Sequence, residues 1–144
     1  MRNKISLLSI ATVCLIGTSL AQAEPMPDQY ISDALKNDNA FSESFTAAIQ
    51  PVLGDFPWVA EGGVATPAIT VQKEGNNYLL YQGCKPHDCI TQSYAVLYSS
   101  EQQEVVAAAF VDNDYMEQNL VNSQILWTGS EVTGLASVLA PYLF

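Results

Sequence analysis

Apolar positions first fall on helical stripes. In DQYISDALK, residues 28–36, Ile31, Ala34 and Leu35 share one face. In FSESFTAAI, Phe41, Phe45, Ala48 and Ile49 stand at i, i+4, i+7 and i+8. That spacing predicts two helical pieces over residues 28–50. Asp38 or Asn39 can cap the second, and Pro51 stops it. The stretch GDFPWVAEGGVATP, residues 54–67, holds three glycines and two prolines and predicts an irregular segment.

The pattern then becomes that of strands. AITVQK (68–73) and NYLLYQG (77–83) flank the turn signal EGNN and predict a hairpin. SYAVLYS (93–99) and EVVAAAFV (104–111) follow, the second apolar enough to be buried on both faces. DNDYMEQN (112–119) is polar and reads as a short helical turn, and SQILWTG (123–129) as a fifth strand. Near the end, Val132, Leu135, Ala136 and Leu139 form a helical stripe, with Ser130 as its cap. Short connections between consecutive strands require antiparallel neighbours. The expected fold is α+β: a central antiparallel meander of about five strands with helices packed on it.

The first residues change the picture of compartment. Arg2 and Lys4 precede a short apolar run that closes on Ala21-Gln22-Ala23. This is the pattern of a secretory signal peptide over residues 1–23, too short and too interrupted for a membrane span. Cys14 goes with it, outside any lipoprotein processing pattern. One domain, residues 24–144, remains as the expected mature protein, periplasmic and free of the membrane.

Removing the leader takes two of five basic residues and none of the fifteen acidic ones, leaving a net charge of −12 with Lys36, Lys73 and Lys85 as the remaining cations. Such a surface repels nucleic acid and attracts a basic partner. It also serves plain solubility. Two cysteines remain, Cys84 and Cys89. An even count in an oxidising compartment reads as one disulfide. A ring this small stabilises a fold by only about 2 kcal/mol. Its use is therefore local, holding one loop between two strands in a single shape.

That loop reads CKPHDC and carries the chain's one histidine, His87. Four residues with a proline between the cysteines do not fit a thiol oxidoreductase. Cys84, His87, Asp88 and Cys89 are all ligand types, but one six-residue ring cannot wrap them round a metal ion. No G-x-S-x-G elbow is present, and Asp88, as the sequence neighbour of His87, is poorly placed to orient it. Carboxylates are plentiful without any pair standing out. A hydrolase or small-ligand-binding module using a cleft near residues 61–67 is the alternative function. As a ligand for another protein, the loop makes better sense. Pro86 and the disulfide lower the entropy lost on binding, and Lys85 and His87 make a cationic finger on an acidic protein. Facing two carboxylates, a protonated imidazole donates through both ring nitrogens. The plain reading is a surface hairpin whose histidine is merely exposed.

CKPHDC at 84–89, together with PWVAEGGVATPAITV at 57–71, resembles the Ivy family, the bacterial periplasmic inhibitors of vertebrate lysozyme. The resemblance runs from about Pro57 to Tyr98. It implies a sheet with helices on both sides, and inhibition rather than catalysis, without a cofactor. It implies that the loop enters the cleft of c-type lysozyme, that His87 hydrogen-bonds the two catalytic carboxylates, and that the Cys84–Cys89 bond supports it. Lys85, Pro86 and Asp88 then shape and line the plug. C-type lysozymes are basic, which suits the acidic surface. The family is also linked to restraint of the cell's own lytic transglycosylases. Some members are homodimers, and this chain shows no dimer signature.

Overall fold

The carboxylate of Asp38 divides the first helical region. It accepts the Phe41 N–H at 2.9 Å, ending helix α1 (Ile31–Asn37) and capping α2 (Asn39–Ile49). These lie in a computed structural model that describes residues 29–143, so the leader expected over residues 1–23 lies outside the described residues. A 3₁₀ turn, Gln50–Val52, follows α2 and contains Pro51, which has no N–H to continue the helix. Phe41, Phe45 and Ile49 form the buried stripe of α2. Each such side chain stabilises the fold by roughly 1.5–3 kcal/mol through burial alone.

Six antiparallel strands make one sheet: β1 (Val64–Ala65), β2 (Ile69–Lys73), β3 (Asn76–Cys84), β4 (Gln92–Ser99), β5 (Glu104–Met116) and β6 (Asn119–Thr128). β3, β4, β5 and β6 lie side by side in that order, while β1 and β2 share the outer edge of β3. Pro67 stands in the gap between β1 and β2, where its missing N–H interrupts nothing. Glu74 and Gly75 both have positive φ, 53° and 85°, and make the two-residue turn whose twist suits the β2–β3 hairpin.

Alternation along the strands divides the interior into two layers. Tyr81, Tyr94, Tyr98 and Phe110 face α1 and α2 and meet Phe41, Phe45 and Phe56. Leu80, Leu97, Ala107, Ala109 and Val111 face the other way, against Leu135 and Leu139 of α3 (Val132–Leu139). Helices therefore cover both faces, and the small alanines of β5 let them approach. The Val105 N–H donates to Ser44 Oγ at 2.7 Å and ties α2 to β5. Burial pushes the Tyr81 phenol up to about 12 from its ordinary 10.0, with the negative charge of Asp38 adding to the effect.

Three local expectations need correction. Residues 112–119 are not a helical turn: β5 continues to Met116, the chain reverses at Glu117 and Gln118, and β6 begins at Asn119. A polar run marks exposure, and an exposed hairpin is as polar as a surface turn. The Gly-Pro-rich segment contains a 3₁₀ turn, Pro57–Glu61, and the short strand β1. Finally, α3 begins after Glu131 with no side-chain cap from Ser130. Glu131 is engaged elsewhere, accepting from Gln102 Nε2 at 3.1 Å.

The strand register assigns the two ends of the sheet. One end carries the Glu74–Gly75 turn and the turn at residues 100–103. The opposite end carries the connection from Cys84 to Gln92 and the tip of the β5–β6 hairpin.

Candidate functional site

The residues between β3 and β4 form two stacked turns. Asp88 N–H donates to the Lys85 carbonyl at 3.0 Å, closing a turn with Pro86 second and His87 third. Pro86 supplies the fixed φ that the second position needs, and His87 has φ 65° at the third, the pattern of a type II turn. A left-handed backbone costs an ordinary residue roughly 1–2 kcal/mol. Glycine would remove that cost, yet an imidazole stands there. The Asp88 carbonyl then accepts from the N–H and the hydroxyl of Thr91, each at 3.3 Å, and Lys85 N–H closes the base onto the Gln92 carbonyl at 3.0 Å.

The disulfide joins Cys84 to Cys89, with Cα atoms 4.8 Å apart, at the root of these turns. Lys85 Nζ lies 3.5 Å from Asp88 Oδ2 within the loop. That exposed pair adds at most about 1 kcal/mol. It also balances the lysine charge locally, so His87 becomes the group the tip presents. Pro86, His87, Cys89 and Ile90 are exposed, while Cys84, Lys85 and Asp88 are half-buried. Among the described residues, no hydrogen bond or ion pair engages the His87 ring. All six residues of CKPHDC thus lie together on one projection.

What holds that projection was not read from the sequence. Gln92, the first residue of β4, is the hub. Its Oε1 accepts from the Trp58 indole N–H at 2.8 Å, and its Nε2 donates to the Asp55 carbonyl at 3.3 Å and to Asp112 Oδ1 at 3.2 Å. On the other side, Asn113 donates its backbone N–H to the Thr91 carbonyl at 2.7 Å and its Nδ2 to the Ile90 carbonyl at 3.2 Å. A glutamine beginning a strand carries no signal of such a role, because its partners come from residues 55–58 and 112.

The glycine-rich motif meets the loop at its root. Val64 and Ala65 pair with Cys84 and Gly83. At Gly63, with φ 63°, a Cβ would come within 2.5 Å of the Cys84 carbonyl and 2.6 Å of the Trp58 ring, so only glycine admits this approach. The Tyr94 hydroxyl lies where a Cβ on Gly83 would be, 2.7 Å away, and donates to the Gly62 carbonyl at 2.7 Å. Burial holds the Tyr94 phenol well above its ordinary range. The two sequence motifs are therefore one assembly, a scaffold and the loop it carries.

A cavity of about 260 Å³ lies beside residues 64–66, lined by Val64, Thr66, Gln82, Ser93, Tyr94 and Tyr142 among others. Its lining holds no carboxylate, imidazole or free thiol. Among the described residues, no three His, Cys, Asp or Glu side chains converge as metal ligands.

Residues 42–118 match the family model described as "Inhibitor of vertebrate lysozyme (Ivy)". The protein named "Inhibitor of vertebrate lysozyme" from Escherichia coli (strain K12) is 42% identical over 48 residues, 33% of this chain and 31% of that protein. Its namesake from Escherichia coli O157:H7 matches to the same extent. The alignment spans about a third of the length of these curated relatives.

Proposed function

Because the chain belongs to the Ivy family of inhibitors of vertebrate lysozyme, we propose that it inhibits a c-type lysozyme by placing the Cys84–Cys89 loop in the enzyme's catalytic cleft. The observation that carries this reading is the state of His87. It stands exposed at a left-handed position on a stapled and braced tip, with its ring engaged by nothing in its own chain among the described residues.

A glycosidase of this kind works with two carboxylates flanking the scissile bond, one acting as acid and the other as nucleophile or stabiliser. An imidazolium between them donates a hydrogen bond to each and removes both from catalysis. The desolvated cleft strengthens these charge-assisted contacts. Pro86, the disulfide and the bonds at Gln92 and Asn113 fix the loop before the encounter, so little freedom is lost on binding. Half-buried Lys85 and Asp88 neutralise each other at the rim of the plug. The remaining charge is strongly negative, which steers a basic enzyme toward the inhibitor and makes association salt-sensitive.

The reading places the protein in the periplasm after removal of residues 1–23. Among the described residues, no helix is long and apolar enough to cross a membrane. The cell's own lytic transglycosylases are the second class of enzyme to assay. The alternative of a hydrolase near residues 61–67 gains no support from a cavity whose lining holds no carboxylate, imidazole or free thiol to activate its hydroxyl groups.

The test mixes the mature protein with a c-type lysozyme and follows lysis of a cell-wall suspension, with size measurement of the mixture. Suppression of lysis together with a discrete complex is expected. Lysis at full rate with the protein in excess would rule out inhibition of that enzyme.

A further inference from the structure

The β5–β6 hairpin continues beyond the level at which the sheet ends. Asp112 pairs with Gln92, the first residue of β4, Asn113 still bonds Thr91 and Ile90, and past Asn113 β5 has only β6 as a neighbour. Residues 114–116 therefore form a two-stranded arm with β6, projecting roughly 10 Å at about 3.3 Å per residue. The arm stands at the same end of the sheet as the Cys84–Cys89 loop, and Asn113 bonds its base to Thr91 and Ile90 of that loop.

Its composition is wrong for a strand that only faces water. Tyr115, Met116, Leu120 and Val121 are 40%, 68%, 52% and 57% exposed, and Ile90 beside the base is 67% exposed. Tyr115 pairs directly with Leu120, and a register shift after Asp114 turns the tip away from the regular pleat. A two-stranded ribbon without a layer against it is marginal in water, and a run of exposed apolar side chains on such an arm invites aggregation. None of these side chains belongs to either layer of the core.

Charge selects the occupant. Asp114 and Glu117 lie on the arm with Asp112 at its foot, and no lysine or arginine follows Lys85 in the sequence. An anionic membrane or a nucleic acid would be repelled, and two copies of this arm would repel each other. A basic protein surface fits both the apolar side chains and the carboxylates. We propose that the β5–β6 arm is a second contact on the enzyme that receives the loop, gripping the basic surface beside its cleft. The proposal rests on the inhibitory reading of the loop. The loop closes the active site, and the arm lengthens the life of the complex.

Binding kinetics of the full mature chain on an immobilised c-type lysozyme test this, with melting curves recorded for every variant. The double variant Met116→Ser/Leu120→Ser changes two exposed positions and is expected to dissociate about tenfold faster, with association altered by less than about twofold. Met116→Gln alone, should the double variant melt early, is expected to dissociate about threefold faster. Glu117→Gln is expected to slow association about twofold at low salt, and Glu101→Gln, at the opposite end of the sheet, to slow it less. An unchanged dissociation rate in folded arm variants, alongside weakened binding by His87→Ala, overturns the arm and leaves the loop standing. Absence of binding by the unaltered protein overturns both.

Discussion

Gln92→Ala removes the hub beneath the loop while leaving every loop residue in place. Three hydrogen bonds are lost. The 2.8 Å bond from the Trp58 indole is the strongest, and those to Asp55 and Asp112, at 3.3 and 3.2 Å, are longer. A net bond contributes about 1 kcal/mol, and the longer, more exposed pair contributes less because water replaces its partners. The expected loss is about 2 kcal/mol. Unfolding entropy for a domain of this size converts that to a fall in Tm of about 8 °C. The loop should also lose affinity, since a base released from Trp58 and Asp112 must be ordered again on binding. That cost corresponds to roughly five- to tenfold weaker inhibition. Thermal denaturation followed by circular dichroism gives the first quantity, and titration of lysozyme inhibition gives the second. A Tm within about 2 °C of the unaltered protein would refute the stabilising role. A large fall in Tm with undiminished inhibition would show that loop rigidity is not used in binding.

Other expectations follow from the same geometry. His87→Ala should weaken lysozyme inhibition more than tenfold, roughly 2–5 kcal/mol for a charged contact in a desolvated cleft, without changing Tm, because the ring is exposed. Equal inhibition curves would move the binding energy to other loop residues. Cys84→Ser/Cys89→Ser should cost about 2 kcal/mol of stability and leave a folded protein, yet lower affinity; global unfolding at room temperature would contradict this. At alkaline pH the buried phenols set a limit. Tyr81 is raised to about 12 from 10.0 and Tyr94 is raised further by burial, so the fold favours their neutral forms. That contribution is complete below pH 10, where unfolded tyrosines are also neutral, and is lost as pH rises through about 12. Phenolate absorbance and loss of circular dichroism should therefore rise together above pH 10. Ionisation of all tyrosines near their ordinary value in a folded protein would contradict the burial.

Much of the fold could be read from spacing. The stripe of Phe41, Phe45 and Ile49 marked a buried helix face, and Asp38 or Asn39 marked its start, the structure choosing Asp38, because both features depend on neighbours within a few residues. The apolar run of β5 announced a central strand for the same reason. The arm was missed because alternation weakens where both faces meet water, and Asp112, Asn113 and Asp114 resemble a turn until paired with β6. CKPHDC was visible as a loop through its cysteines and proline. Its support was not, because Gln92, Trp58 and Asn113 act across 34 and 23 residues of sequence, a separation local pattern does not report. The glycines at 62 and 63 were conspicuous by type, but only the approach of the Cys84 carbonyl and the Trp58 ring shows why Gly63 must be glycine.

Occupation of the cleft is most directly tested by competition. A short oligosaccharide that fills the catalytic cleft of a c-type lysozyme is titrated against binding of this protein at fixed ionic strength. Mutual exclusion is predicted, with the apparent Kd for the protein rising in proportion to saccharide once its own Kd is exceeded. A ternary complex of enzyme, saccharide and protein, formed with undiminished affinity, would contradict an imidazole seated between the catalytic carboxylates.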